Sequence, residues 1–248
     1  MPFVLSQEMP PLVLQYAMYL RNIRGLSAKT VDEYCLDLRT FFRFMKRYKG
    51  LVNQNILMEE ITVRDIDTEF IKGITTYDIF EFMNFVADDR NNMSSTRQRK
   101  SSSLKSFFKY LCVHEKILQE NPTENLTPPK KKKALPHFLS LEQSIELLNA
   151  VDGPDQERDY CILVLFLNCG MRLSELVGIN MTDVIHNNST LRILGKGNKE
   201  RIVYLNDACL AAIENYIKVR PKEGVNKNNA LFLSSRNRQN SPTTVQFI

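Results

Sequence analysis

The sequence predicts a mainly α-helical protein with a small β-hairpin or sheet, divided into a helical N-terminal part and a mixed α/β C-terminal part. Three observations predict this. Apolar residues recur at helical spacing through most of residues 1–127. A stretch rich in proline and lysine breaks the pattern at 128–136. Beyond it, helical segments flank two short alternating runs joined by a glycine-containing turn. The 248 residues include no tryptophan and only nine glycines, which suits helices, and 43% are hydrophobic, enough for packed cores.

The elements follow in order. After Met9-Pro10-Pro11, Leu12, Tyr16, Tyr19 and Leu20 mark a first helix. Ser27 offers an N-cap to a second, whose apolar face is Val31, Tyr34, Cys35, Leu38, Phe41, Phe42 and Met45. Gly50 to Asp67 is irregular. Thr75 or Thr76 starts a helix through Ile79, Phe82, Met83 and Val86. Ser94-Ser95-Thr96 caps the next, with Leu104, Phe107, Phe108 and Leu111 inside it; Asn121-Pro122 closes the first part. After Ser140 come helices over Leu141–Ala150 and Arg158–Asn168, a break at Gly170, and a short helix through Leu176. Thr190–Leu194 and Arg201–Leu205 alternate as strands about the turn Gly195–Glu200, and a helix over Asp207–Val219 ends before Pro221. The divisions are therefore 1–127, a basic linker 128–136, and 137–248.

The formal charge of +5 is mild, but it is concentrated: Lys130, Lys131, Lys132 and Lys133 sit together in the linker, where prolines keep the chain extended. Such a run is either a solvated spacer or an anion contact. Five scattered cysteines without CxxC spacing read as a reduced, cytoplasmic protein, and no apolar run is long enough for a bilayer. No histidine or cysteine group has metal-ligand spacing, so no cofactor is expected.

Two segments carry candidate chemistry. In Gly170-Met171-Arg172-Leu173-Ser174-Glu175-Leu176, Arg172 offers a planar fork to phosphate oxygens, with Glu175 one helical turn on to orient it; the plain alternative is a local ion pair. In Gly195-Lys196-Gly197-Asn198-Lys199-Glu200-Arg201, the glycines allow close approach to another molecule. Lys196 can then donate a proton to a leaving alkoxide, or be an ordinary exposed turn lysine. Lys199 and Arg201 are either solvated or phosphate contacts. In the first part, Arg97, Arg99, Lys100, Lys105 and Lys109 run along one helix with Ser101 to Ser103 between them. They form either a solvated face or a face for duplex DNA, with Lys29, Thr30 and Tyr34 lining the same surface.

These residues resemble the tyrosine recombinase (phage integrase) family, particularly its Xer-like members. The resemblance rests on Gly170–Ile179, Leu194–Arg201, Ser27–Thr30 with Tyr34 and Asp37-Leu38, Arg97–Leu111, Asn121-Pro122 and Leu135–Ser140, in order. It implies a helical, SAM-like core-binding domain plus an α/β catalytic domain closing on duplex DNA, in homo- or hetero-oligomers that act as tetramers. Arg172 would be the first catalytic arginine, Glu175 its acidic companion, and Lys196 the hairpin lysine that protonates the leaving 5′ oxygen. A tyrosine attacks the phosphodiester, a 3′-phosphotyrosyl bond conserves its energy, and neither metal nor nucleotide is needed. The family's His-x-x-Arg box and nucleophilic tyrosine have no counterpart in 1–248, since Tyr160, Tyr204 and Tyr216 lie too early. The expectation is an incomplete catalytic domain: a chain that binds DNA without cutting it, cut short from a recombinase or itself a non-catalytic occupant of recombination sites. A helical protein-interaction module is the third possibility.

Overall fold

A computed structural model describes residues 8–88, 94–127, 138–185, 188–195, 197, 199–221, 229–236 and 238–246. The chain divides into two compact units, Met1–Ala134 and Leu135–Ile248.

The first unit is helical. α1 (Pro11–Met18) begins at a proline, whose missing N–H costs nothing at a helix start, and runs on as a π-helical turn over Tyr19–Ile23. α2 (Ala28–Tyr48) is capped as expected by Ser27, whose hydroxyl accepts from Thr30 N at 3.3 Å. α3 (Thr68–Lys72), capped by Asp67, was not expected, and it is only five residues long. α4 (Thr76–Asp88) and α5 (Ser94–Val113) complete the set. The core is aromatic. Phe41 meets Phe82 edge-on at 5.1 Å, Phe42 meets Phe107 at 6.0 Å, and Tyr16 meets Phe107 at 5.2 Å. Each such ring contributes roughly 1.5–3 kcal/mol through burial, with edge-to-face geometry adding to it.

Residues 50–67 lack regular structure apart from a 3₁₀ turn at Met58–Glu60, but they are held from α2. Arg43 donates to the carbonyls of Ile61 (2.9 Å) and Glu59 (2.6 Å). The buried Lys46 donates to Thr62 O at 3.0 Å and to both carboxylate oxygens of Asp65. Arg47 donates to Ile56 O.

The second unit contains α6 (Leu141–Asn149), with a full capping box at Ser140 and Gln143, then α7 (Gln156–Cys169), α8 (Leu173–Val177) and α9 (Asp207–Val219), and a short α10 (Pro242–Val245). An antiparallel sheet of order β1-β2-β3 comprises Val184–Ile185, Thr190–Leu194 and Glu200–Tyr204. The two-residue β1 was not expected, and β3 begins one residue earlier than the alternation suggested. α7 packs on α9, α8 packs on β2, and Leu191 and Ile193 point from the sheet into the core with Leu176, Cys161 and Ile213. Tyr216 stacks on Phe232 at 5.5 Å. Among the described residues no helix is long and apolar enough to cross a membrane, and no cluster of metal-ligating side chains occurs.

Candidate functional site

The site of interest in the second unit starts where α7 stops. Gly170 takes φ +54°, a left-handed conformation that glycine adopts without a Cβ penalty, and its N–H closes on Phe166 O at 3.3 Å. The chain then turns sharply, leaving Arg172 extended at the N-cap of α8. Glu175, three residues on, reaches back to Arg172 N at 2.9 Å, the acidic half of a capping box. Its other oxygen accepts from Arg172 Nη1 at 2.7 Å.

A second arginine arrives from the hairpin. Arg201 on β3 lies directly opposite Ile193 on β2. Directly paired residues share a face of a sheet, so Arg201 projects toward the inner face, where Glu175 sits. Arg201 Nη1 and Nη2 donate to the two carboxylate oxygens of Glu175, each at 2.9 Å. The Glu175 side chain is 2% exposed and accepts four hydrogen bonds. The Arg201 guanidinium, assisted by the Arg172 backbone and side chain, pulls its carboxyl down to about 2 from the ordinary 4.5, despite burial acting in the opposite direction. Glu175 is therefore an anion at neutral pH and no proton donor. Gly195 completes the enclosure: a Cβ there would stand 3.3 Å from Glu175 Oε1 and 3.3 Å from Lys199 O.

Arg172 is tethered on one side only. Its side chain is 70% exposed, and its Nε and Nη2 have no partner among the described residues. The arrangement is thus an outward guanidinium backed by a buried carboxylate, beside a glycine turn. It suits a bidentate oxyanion such as a phosphodiester. Lys199 is exposed on the same turn. Lys196, the expected proton donor, lies outside the described residues, as do Lys130, Lys131, Lys132 and Lys133. Arg201, expected to be solvated or on a phosphate, spends both terminal nitrogens on Glu175. A neighbouring pair, Arg192 Nε and Nη2 on Asp183 Oδ1 at 2.9 and 2.7 Å, braces β2 against the turn before β1.

The basic helix of the first unit is more divided than its composition suggested. Lys100, expected on a DNA face, is 8% exposed and donates to the buried Asp37 on α2 at 3.0 Å. Arg99 pairs with the other Asp37 oxygen and with Glu33. Ser101 and Ser103 are buried, Ser101 against Met83 and Ser103 on Lys100 O, so neither is open to a phosphate. Lys29 and Lys109 are exposed; Arg97 and Lys105 are half-buried. The Thr30 hydroxyl bonds with that of Ser27, and Tyr34 packs against the core. Asp37 entered only as part of the Asp37-Leu38 resemblance, with no partner assigned, yet it lies within the apolar stripe of α2, and a carboxylate in such a stripe signals a cation opposite.

The comparisons with known proteins agree along the whole chain. Residues 137–248 match the phage integrase family, and residues 12–116 match the phage integrase N-terminal SAM-like domain. The tyrosine recombinase XerC of Caldanaerobacter subterraneus subsp. tengcongensis is 43% identical over 246 residues, covering 99% of this chain and 69% of that protein. XerC of Chlamydia caviae is 32% identical, covering 88% of this chain and 70% of its own. Among solved structures, XerH site-specific recombinase bound to a palindromic difH substrate superposes with a TM-score of 0.65 at 18% identity, over 92% of this chain and 62% of that one. A lambda integrase dimer on a COC' core site gives 0.64 at 18%, over 94% and 76%. These likenesses establish a shared fold.

Proposed function

The chain belongs to the phage integrase family of tyrosine recombinases, and from that premise we propose that it acts in the cytoplasm on duplex DNA, in site-specific strand exchange with further recombinase copies. The observation that carries the reading is Arg172: a guanidinium backed by an ionised, enclosed Glu175, with its remaining donors turned to solvent. Arg172 holds the scissile phosphate, whose non-bridging oxygens gain charge in the transition state. Glu175 orients it. Lys196, on the adjoining turn, protonates the leaving 5′ oxygen, and Lys199 takes a flanking phosphate. The first unit grips the duplex through Lys29, Arg97, Lys105 and Lys109, helped by Lys130 to Lys133. Arg99, Lys100, Thr30 and Tyr34 act behind that surface. No metal and no nucleotide enters the reaction.

The chemistry needs a nucleophile in line with the leaving oxygen. No tyrosine hydroxyl bonds to Arg172, Glu175 or Arg201 among the described residues. Tyr216 is buried on Phe232, Tyr204 is 83% exposed at the sheet, and Tyr160 lies on α7. We therefore read residues 1–248 as binding and gripping DNA without forming the phosphotyrosyl bond themselves, which also suits a non-catalytic occupant of recombination sites.

The test is binding of a labelled duplex across a salt series. Affinity falls steeply with salt, about 0.9 log unit per log unit of salt for each phosphate contact, and Arg172→Ala weakens it. An affinity indifferent to salt would make the basic residues merely solubilising. A nicked suicide substrate gives no covalent adduct on a denaturing gel; an adduct mapped to Tyr160, Tyr204 or Tyr216 would reverse the assignment of roles.

A further inference from the structure

We propose that Arg201 is a positioning residue: it sets the direction of Arg172, beside Gly195, by clamping Glu175 between the two arginines. This rests on the reading of Arg172 as the phosphate-holding group. Three observations converge on it. The bidentate partner of Glu175 is Arg201, 26 residues away, not Arg172 from the same helix, which contributes one side-chain and one backbone bond. The Arg201–Ile193 register fixes that guanidinium on the inner face of the hairpin, so the clamp joins β3 to α8. Gly195 lies against the same carboxylate, with no room for a Cβ beyond a tight 3.3 Å contact.

The physical consequence is specific. With Arg201 in place, Glu175 has all four acceptor positions filled and stays charged, so its attraction for Arg172 is constant. Arg172 keeps one tether and one direction. Without Arg201, a buried carboxylate retains a single guanidinium that is itself mostly in solvent. Its proton affinity rises, and on protonation it releases Arg172. β3, no longer joined to α8 through Glu175, loses its reference to Arg172. Both terminal nitrogens of Arg201 donate to Glu175, so its effect on Arg172 runs through that carboxylate.

Two measurements test the proposal on the whole chain. The first is a carboxyl ¹³C titration of Glu175, assigned by Glu175→Gln. In the wild type the resonance is flat from neutral pH down to about pH 3. In Arg201→Met it titrates at least one pH unit higher, and Arg201→Lys, which keeps the charge but not the fork, falls between. A Glu175 resonance unmoved by Arg201→Met overturns the proposal. The second is a double-mutant cycle on duplex affinity. Arg201→Met and Arg172→Ala each weaken binding, by about tenfold, and together weaken it no further than the worse of the two, because one acts through the other. Independent, multiplying losses would mean that Arg201 contacts DNA directly, and would sink the positioning role. If Arg172→Ala leaves affinity unchanged while the titration moves as expected, the phosphate reading of Arg172 fails and the clamp stands. A chain that unfolds in Arg201→Met is recognised by its amide spectrum, and the Arg201→Lys arm then decides.

Discussion

Among the described residues, each unit of this protein contains a buried carboxylate flanked by two cations, and the two are used differently. Asp37 on α2 is met by Arg99 and Lys100, adjacent residues of a single helix, and Lys100 is itself 8% exposed. Both cations fasten α5 to α2, Lys100 from inside and Arg99 through its Nη1 alone. Glu175 is met by Arg172 and Arg201, which come from different elements, and one of the pair stays 70% exposed. The first cluster spends its charge on packing; the second turns a guanidinium outward and holds it there. A buried carboxylate is thus no guide to function by itself. What distinguishes the second cluster is the exposure of its outer cation, 70% for Arg172 against 37% for Arg99.

The largest expected effect falls on the packing cluster. Asp37→Ala leaves Lys100 buried without its partner and should cost about 3–5 kcal/mol of stability, read by urea unfolding of the whole chain. Arg172→Ala, in the other cluster, removes a mostly solvated side chain and should cost on the order of 1 kcal/mol or less, while its DNA affinity falls. Equal losses of stability would erase the distinction drawn here.

A smaller effect sharpens the electrostatics of the second cluster. Glu175 is held below its unfolded value, so its contribution to stability is complete above about pH 4.5 and is lost as pH falls toward 2. Acid unfolding of the second unit should be shallower in that window for Glu175→Gln than for the wild type, with Glu175→Gln also less stable at neutral pH. An unchanged slope would mean that the carboxylate is not clamped in solution. The smallest effect is Gly195→Ala. Its backbone is unstrained, so any penalty comes from the added Cβ displacing Glu175 Oε1 or Lys199 O by a few tenths of an ångström, costing about 1 kcal/mol or less. Its signature should be a shift in the Glu175 and Arg172 resonances. No change in either would separate the turn from the clamp.

Where the sequence spoke clearly, a single local rule was sufficient. Ser27 as a cap, Gly170 as a stop, the 190–204 hairpin and the helix Asp207–Val219 each follow from a few adjacent residues. The five-residue α3 and two-residue β1 are too short for any periodicity to register. The Arg172–Glu175 pair was visible because three residues make one helical turn, whereas Arg201 joins it only through strand register and a close approach at Gly195. Lys100 was misread for a different reason. It lies one turn before Leu104 and two before Phe107, on the apolar stripe of α5, and its charge drew it to the surface in the reading when its angle placed it inside. The linker lysines and Lys196 fall outside the described residues, so their expected roles rest on the proposal alone.

The irregular segment after α2 has a consequence of its own. Its carbonyls at Ile56, Glu59, Ile61 and Thr62 are taken up by Arg43, Lys46 and Arg47 rather than by a sheet or helix. Side chains here do the work that a backbone ladder does elsewhere, so the segment's conformation is inherited from the helix that immediately precedes it. Its length and the spacing of those three cations are therefore coupled. A residue gained or lost between Ile56 and Thr62 puts the acceptors out of step with donors fixed on α2. Change in this part of the chain must come as matched sets, or at the exposed residues Leu51 and Leu57, which carry none of these bonds.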